Sequence, residues 1–163
     1  MSAGPEERRE RLVELYREVS SCTRCPLHET RTRTVFGAGN ADAELMFVGE
    51  APGAEEDRQG LPFVGRAGQL LNELLGEIGL SREDVFIANV LKSRPPGNRD
   101  PQPAEIAACE PYLFEQVRLI EPKVVCTLGN FATKLLSGSP VGITKVRGVP
   151  QVHELGGRTV FLL

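Results

Sequence analysis

ELMFVGEAPGAEEDRQGLPFVGRAGQLLNELLGEIG, residues 44–79, passes from one kind of pattern to another within a single stretch. Glu44–Val48 is a short apolar run bounded by turn residues, which reads as a buried strand. Residues 50–65 form a polar segment with three glycines and two prolines, which reads as a long loop. From Arg66 the pattern turns helical: Leu70, Leu71, Leu74, Leu75 and Ile78 recur at steps of three and four, and Gly79 ends the run. Strand, loop, helix is the unit from which α/β folds are built.

The same alternation continues outward. VFIANVL (85–91), KVVCTL (123–128) and RTVFLL (158–163) read as further strands, and 92–103 as a Pro- and Gly-rich loop. Residues 104–120 read as a helix that Pro111 must kink or restart. A short helix is expected over 130–136, and 143–155 reads as a ribbon with valines at 146, 149 and 152. Before the opening stretch, 5–20 carries an apolar stripe of Leu12, Leu15, Tyr16 and Val19 and reads as a helix, followed by a loop over 21–39. Continuous apolar strands between helices predict a parallel sheet covered on both faces. The expected fold is a three-layer α/β/α sandwich with a four-stranded parallel sheet, cut off after its last strand, in one domain over 1–163.

Composition narrows the function classes. The 163 residues carry 19 basic and 22 acidic side chains, a net charge of -3, which excludes a protein that coats nucleic acid by bulk charge. Local basic stretches remain: Lys92, Arg94 and Arg99, and then Lys123, Lys134, Lys145 and Arg147 in a span from Pro122 to His153 that has no carboxylate. Each is either a nucleic-acid footprint or a solvated surface. No apolar run approaches the ~18 residues of a membrane span. The N-terminus, MSAGPEERRERLVELYREV, is too charged for a secretory signal, so the expected location is the cytoplasm, with no membrane partner.

Ligands of α/β sheets bind beyond the carboxyl ends of the strands, which directs attention to Gly49–Gly53 and Asn89. Gly49 and Gly53 allow close approach to a ligand. Glu50 stands where a carboxylate can orient water or stabilise positive charge, or simply cap the next helix. With Glu55, Glu56 and Asp57 it makes an acidic rim. Phe63 is either a stacking platform or a core staple. The Asn89 amide either reads the polar edge of a base or caps its strand. Cys22-x2-Cys25 has metal-ligand spacing, Cys109 is a possible third thiolate, and Cys126, inside an apolar strand, reads as core.

GEAPGAEED, G-x-P-F-V-G-x-A-G-x-L-L, the strand ending in Asn89 and K-x-RPPGNRDP, in that order, resemble the family 4 uracil-DNA glycosylases, repair enzymes that carry a [4Fe-4S] cluster. The likeness runs from about residue 20 to the end. It implies hydrolysis of the N-glycosidic bond of uracil in single- or double-stranded DNA by a monomer, leaving an abasic site. Phe63 would stack on uracil, Asn89 would read its edge, and Glu50 would serve catalysis. Gly49, Ala51, Pro52 and Gly53 would help form the pocket, and Lys92, Arg94, Arg99, Lys145 and Arg147 would hold DNA. The cluster ligands would be Cys22, Cys25, Ser93 and Cys109.

Two departures from the family pattern stand out. Ser93 occupies a position where the family has cysteine, which leaves an oxygen ligand, a three-iron or labile cluster, or no cluster. The family also places a His-Pro-Ser-like motif just after the last strand. Here the sequence stops at Leu163, and neither His28 nor His153 matches that motif. The expectation is either a longer natural protein, or a truncated, weakly active member acting as a uracil-DNA or iron-sulfur binding module. Activity on other bases is a further alternative.

Overall fold

The computed structural model describes residues 3–163. Met1 and Ser2, which open the charged N-terminal stretch, lie outside the described residues. The central apolar runs become β2 (Leu45–Gly49), β3 (Phe86–Asn89), β4 (Val124–Thr127) and β6 (Arg158–Leu162). β2 pairs in parallel with β3 and β4, and β4 with β6. Two further strands, β1 (Ala38–Gly39) and β5 (Gln151–Leu155), add antiparallel edges to β3 and β6. The sheet is therefore six-stranded and mixed, in the order β1-β3-β2-β4-β6-β5, which corrects the expected four-stranded parallel sheet. The physical reason is local. β1 is two residues of a glycine-rich loop, and β5 is mostly exposed, so neither carries the buried apolar run that marks an inner strand.

Helices cover the two faces. α1 (Pro5–Ser20) and α4 (Pro103–Ile120) pack on the side presented by Met46, Val48, Phe86 and Ala88, with Leu12, Leu15, Val19, Leu113 and Val117 in the shared core. α5 (Asn130–Ser137) adds Ala132 and Leu136 to the same core. α3 (Arg66–Glu77) packs on the opposite face, where Leu71 and Leu75 meet Phe47 and Ile87. Leu70, Leu74 and Ile78, the other members of its apolar stripe, are exposed. α4 runs unbroken through Pro111. Ala107, whose carbonyl loses its partner there, lies with Pro111 on the exposed side of the helix. The expected ribbon over 143–155 divides into a four-residue helix, α6 (Ile143–Val146), and β5.

The stretch read as one loop between β2 and α3 holds a short helix, α2 (Ala54–Gln59). Its carboxylates anchor the surrounding chain. Asp57 is buried and accepts the backbone N–H groups of Thr32 at 2.8 Å and Arg33 at 3.3 Å. Glu56 accepts those of Gly53 at 3.0 Å, Val64 at 3.0 Å and Gly65 at 2.8 Å. Only Glu55 is exposed, paired with Arg58. The acidic rim thus resolves into two inward anchors and one surface ion pair.

Candidate active site

Gly49 and Asn89 are register partners at the carboxyl ends of β2 and β3. The pairing continues past the strands: Val90 donates to the Gly49 carbonyl at 2.9 Å, and Leu91 to that of Glu50 at 3.0 Å. The two connections leave the sheet side by side and bound a cleft of about 320 Å³. Its walls include Glu50, Ala51, Pro52 and Gly53 from the first, Asn89, Pro95, Asn98 and Arg99 from the second, Phe63 from the turn before α3, and Arg66 and Gly68 from its first turn. The volume suits a single small planar ligand.

Three side chains give the cleft its chemistry. Asn89 is 2% exposed, yet its side-chain amide takes part in none of the hydrogen bonds formed among the described residues. Lining the cleft, the amide leaves both its donor and its acceptor open to a ligand there. Phe63 has φ 50°, the left-handed region, which a bulky L-residue enters at a cost of about 1–3 kcal/mol. Its ring edge meets Asn89 over Gly49: a Cβ on Gly49 would lie 2.4 Å from Phe63 Cζ and 2.6 Å from Asn89 Oδ1. Only glycine fits there. Glu50 stands at the rim, where burial pushes its carboxyl above the usual range and the charge of Asp100 adds to the effect. Glu50 and Asp100 also share a second depression of about 620 Å³ with Asn130, Phe131 and Lys134.

Sequence reasoning brought Glu50, Ala51, Pro52, Gly53, Phe63 and Asn89 toward one place, and all of them line this cleft, as does Arg99, which was expected as a DNA contact. Glu56, read as part of the acidic rim, lines it too, whereas Arg66 and Asn98 were missed. Arg66 was detectable as the one basic residue opening the α3 pattern. Asn98 sits at φ 56° and accepts a hydrogen bond from Arg94 at 2.7 Å. Arg99 makes a two-pronged ion pair with Glu105, both contacts at 2.8 Å.

The expected phosphate contact at Lys92 is corrected. Lys92 is 1% exposed, and its ammonium donates to the Asn89 carbonyl at 2.9 Å and to Gln116 Oε1 at 2.7 Å. Gln116 in turn donates to the Phe36 carbonyl at 2.8 Å. Burial lowers the Lys92 pKa to about 7. Lys145 and Arg147, after α5 in the chain, are exposed and are not among the residues that line the cleft.

The expected [4Fe-4S] cluster is also corrected, and with it the iron-sulfur and metal-binding character. Among the described residues no group of three or more His, Cys, Asp or Glu side chains is placed to hold a metal. All four cysteines are free. Cys109 is buried against Leu27 and Leu91, with Cys25 beside them, and burial pushes its thiol pKa up, toward the protonated form that does not ligate. Cys22 Sγ accepts the Tyr112 hydroxyl at 3.2 Å. Ser93, the fourth expected ligand, is buried with its hydroxyl taken by Arg31 at 3.2 Å. A hard hydroxyl beside a guanidinium and thiols packed as apolar groups do not make the soft anionic donor set that iron-sulfur clusters need.

Comparison with known proteins bears on the same cleft. Residues 36–161 match the family model described as the uracil DNA glycosylase superfamily. A type-4 uracil-DNA glycosylase of Thermotoga maritima is 54% identical over 154 residues, covering 93% of this chain and 80% of that protein. One from Archaeoglobus fulgidus is 54% identical over 127 residues, covering 78% of this chain and 64% of that protein. A type-5 uracil-DNA glycosylase of Thermus thermophilus is 34% identical over 119 residues, 64% of this chain and 54% of its own length. On these matches, the chain belongs to the type-4 uracil-DNA glycosylases, within the uracil DNA glycosylase superfamily.

Proposed function

We propose that the protein hydrolyses the N-glycosidic bond of uracil in DNA, releasing free uracil and leaving an abasic site. The observation that carries this is the meeting of Phe63, Asn89 and Glu50 around Gly49 in one cleft. A base flipped from the stack, at a cost of a few kcal/mol, lies against the Phe63 ring. The uncommitted Asn89 amide pairs with the polar edge of uracil. Cytosine presents an amino group in place of a carbonyl there and is left with a mismatched donor. As the bond stretches, positive charge grows on the sugar, and the Glu50 carboxylate stabilises it and orients the water that attacks the anomeric carbon. The bonding electrons leave with uracil, which takes up a proton, while the water loses one and supplies the new hydroxyl.

Arg94 and Arg99 near the mouth, joined by Arg66 and Lys134, hold backbone phosphates in this reading, and Lys145 and Arg147 extend the track. Such contacts are sequence-independent and weaken with salt. Lys92 has no part in them. No helix among the described residues is long and apolar enough to cross a membrane, and we place the protein in the cytoplasm as a monomer forming one domain.

The test is release of uracil from a single-stranded oligonucleotide containing one uracil, read as an alkali-labile break, beside identical strands with cytosine or thymine. Breakage of the uracil strand alone is expected, with Glu50→Gln reducing it by about 10²–10³-fold. No breakage by the wild-type protein, or equal breakage of the cytosine strand, overturns the reading.

A further inference from the structure

We infer that Arg82, which lies outside the cleft, is a positioning residue that holds Phe63 in its left-handed conformation and thereby sets the stacking surface for the base. The link to stacking rests on the uracil reading above. The link to conformation does not.

Phe63 occupies a backbone region that its side chain disfavours, and such a residue keeps that conformation only when its surroundings over-determine it. The turn is gripped from two sides by opposite charges. On one side Glu56 accepts the N–H groups of Val64 and Gly65. On the other, Arg82 donates through Nη1 to the Phe63 carbonyl at 2.7 Å and through Nη2 to the Pro62 carbonyl. The same Nη1 reaches Asn72 Oδ1 on α3 at 3.1 Å, which aims the guanidinium. Arg82 comes from the connection between α3 and β3, 19 residues beyond Phe63, and is not among the residues lining the cleft. A planar fork with several fixed donors suits two successive carbonyls and an amide oxygen at once, and the single ammonium of lysine does not.

The grip has a counterpart on the helix. A Cβ on Gly68 would lie 1.7 Å from the Phe63 carbonyl oxygen, so the peptide that Arg82 holds is pressed against the bare backbone of α3. Arg82 closes the remaining side. Without it, residue 63 is free to return to negative φ, and its ring swings off the floor shared with Gly49 and Asn89.

The experiment is a double-mutant cycle with Arg82→Ala and Phe63→Ala, read in two ways on the full chain. Hydrogen exchange of the backbone amides over residues 60–66 reports the turn itself. Single-turnover uracil excision reports its use. Arg82→Ala is expected to speed exchange at Val64 and Gly65 and to slow excision by about 10–100-fold. In the Phe63→Ala background the same change is expected to slow excision by less than about 3-fold, because the ring it positions is gone. Arg82→Lys, which retains charge and size, is expected to fall between wild type and Arg82→Ala, and carries the test if the alanine variant does not fold.

Unchanged exchange in both Arg82 variants overturns the proposal. So do excision losses of equal size with and without the Phe63 ring, the pattern of a residue that only supports the fold. Faster exchange in a protein whose wild type releases no uracil supports the clamp and refutes the uracil reading.

Discussion

Gly49→Ala puts a methyl group at the tightest point of the cleft. The new Cβ would sit 2.4 Å from Phe63 Cζ and 2.6 Å from Asn89 Oδ1, against an ordinary carbon–carbon contact of about 3.5–4.0 Å. Something must move by about 1 Å or more. The β2 backbone is paired on both sides, to β3 and to β4, and Asn89 is buried in β3, so the Phe63 ring is what gives way. Overpacking costs about 1–3 kcal/mol. Exchanging glycine for alanine in extended backbone returns about 0.5–1 kcal/mol. The net is a loss of about 1 kcal/mol, or about 2–4 °C in Tm. The loss of function is much larger, because displacing a reacting group by about 1 Å costs about 10²-fold in rate. Single-turnover excision and a thermal melt on the same preparation separate the two effects. Gly76→Ala is the control: it lies in α3 with nothing within 4 Å of its added Cβ, so it should raise stability by up to about 1 kcal/mol and leave excision unchanged. If Gly49→Ala excises uracil within a factor of two or three of wild type, the base does not sit between this ring and this amide.

Three other perturbations follow from contacts already described. Glu50 is held above the usual carboxylate range by burial and by Asp100, so Asp100→Asn should shift the acid limb of the pH–rate profile to lower pH, and an unchanged or upward-shifted limb refutes the coupling. Glu105 is held below its ordinary range by Arg99 and the Gln102 N–H; its stabilisation is present above the unfolded carboxylate pKa and lost as pH falls through the folded one. Glu105→Ala should thus cost about 1–3 kcal/mol near neutrality, and denaturant melts should find the gap to wild type closing in acid. Leu113 is fully buried in α4, and Leu113→Ala should cost about 2–5 kcal/mol in chemical denaturation with excision by the folded fraction unaltered.

How far the sequence predicts this molecule depends on whether a residue's surroundings are local. The inner strands are legible because runs such as 45–49 and 86–89 are apolar on both faces and end in residues that leave the sheet. The edge strands are not, because a two-residue strand and an exposed one owe their form to a neighbour rather than to their own side chains. In α3 the paired leucines at 70–71 and 74–75 satisfy helical spacing on two overlapping stripes, and only packing against Phe47 and Ile87 selects Leu71 and Leu75. Lys92 was misjudged because lysine normally reaches water, whereas here two acceptors from distant segments meet it inside. Cys22 and Cys25 have ligand spacing, but spacing says nothing of whether further donors arrive. Arg31 at Ser93 answers that only in three dimensions. Glu50, Phe63 and Asn89 were legible as a group only through their ordered motifs, each alone having an ordinary structural explanation.

The register of Gly49 opposite Asn89 also bears on how such a cleft can change over evolutionary time. Asn89 is locked into a ladder of parallel pairs, and moving it by one residue would turn every side chain of β3 to the opposite face of the sheet. Its place is inherited with the fold. Phe63 is held by a handful of polar contacts from Glu56 and Arg82, each replaceable without disturbing the sheet. New base preferences are therefore most accessible through substitutions in the 60–66 turn and its two anchors, with the amide on β3 kept as the fixed reference against which each altered floor is tried.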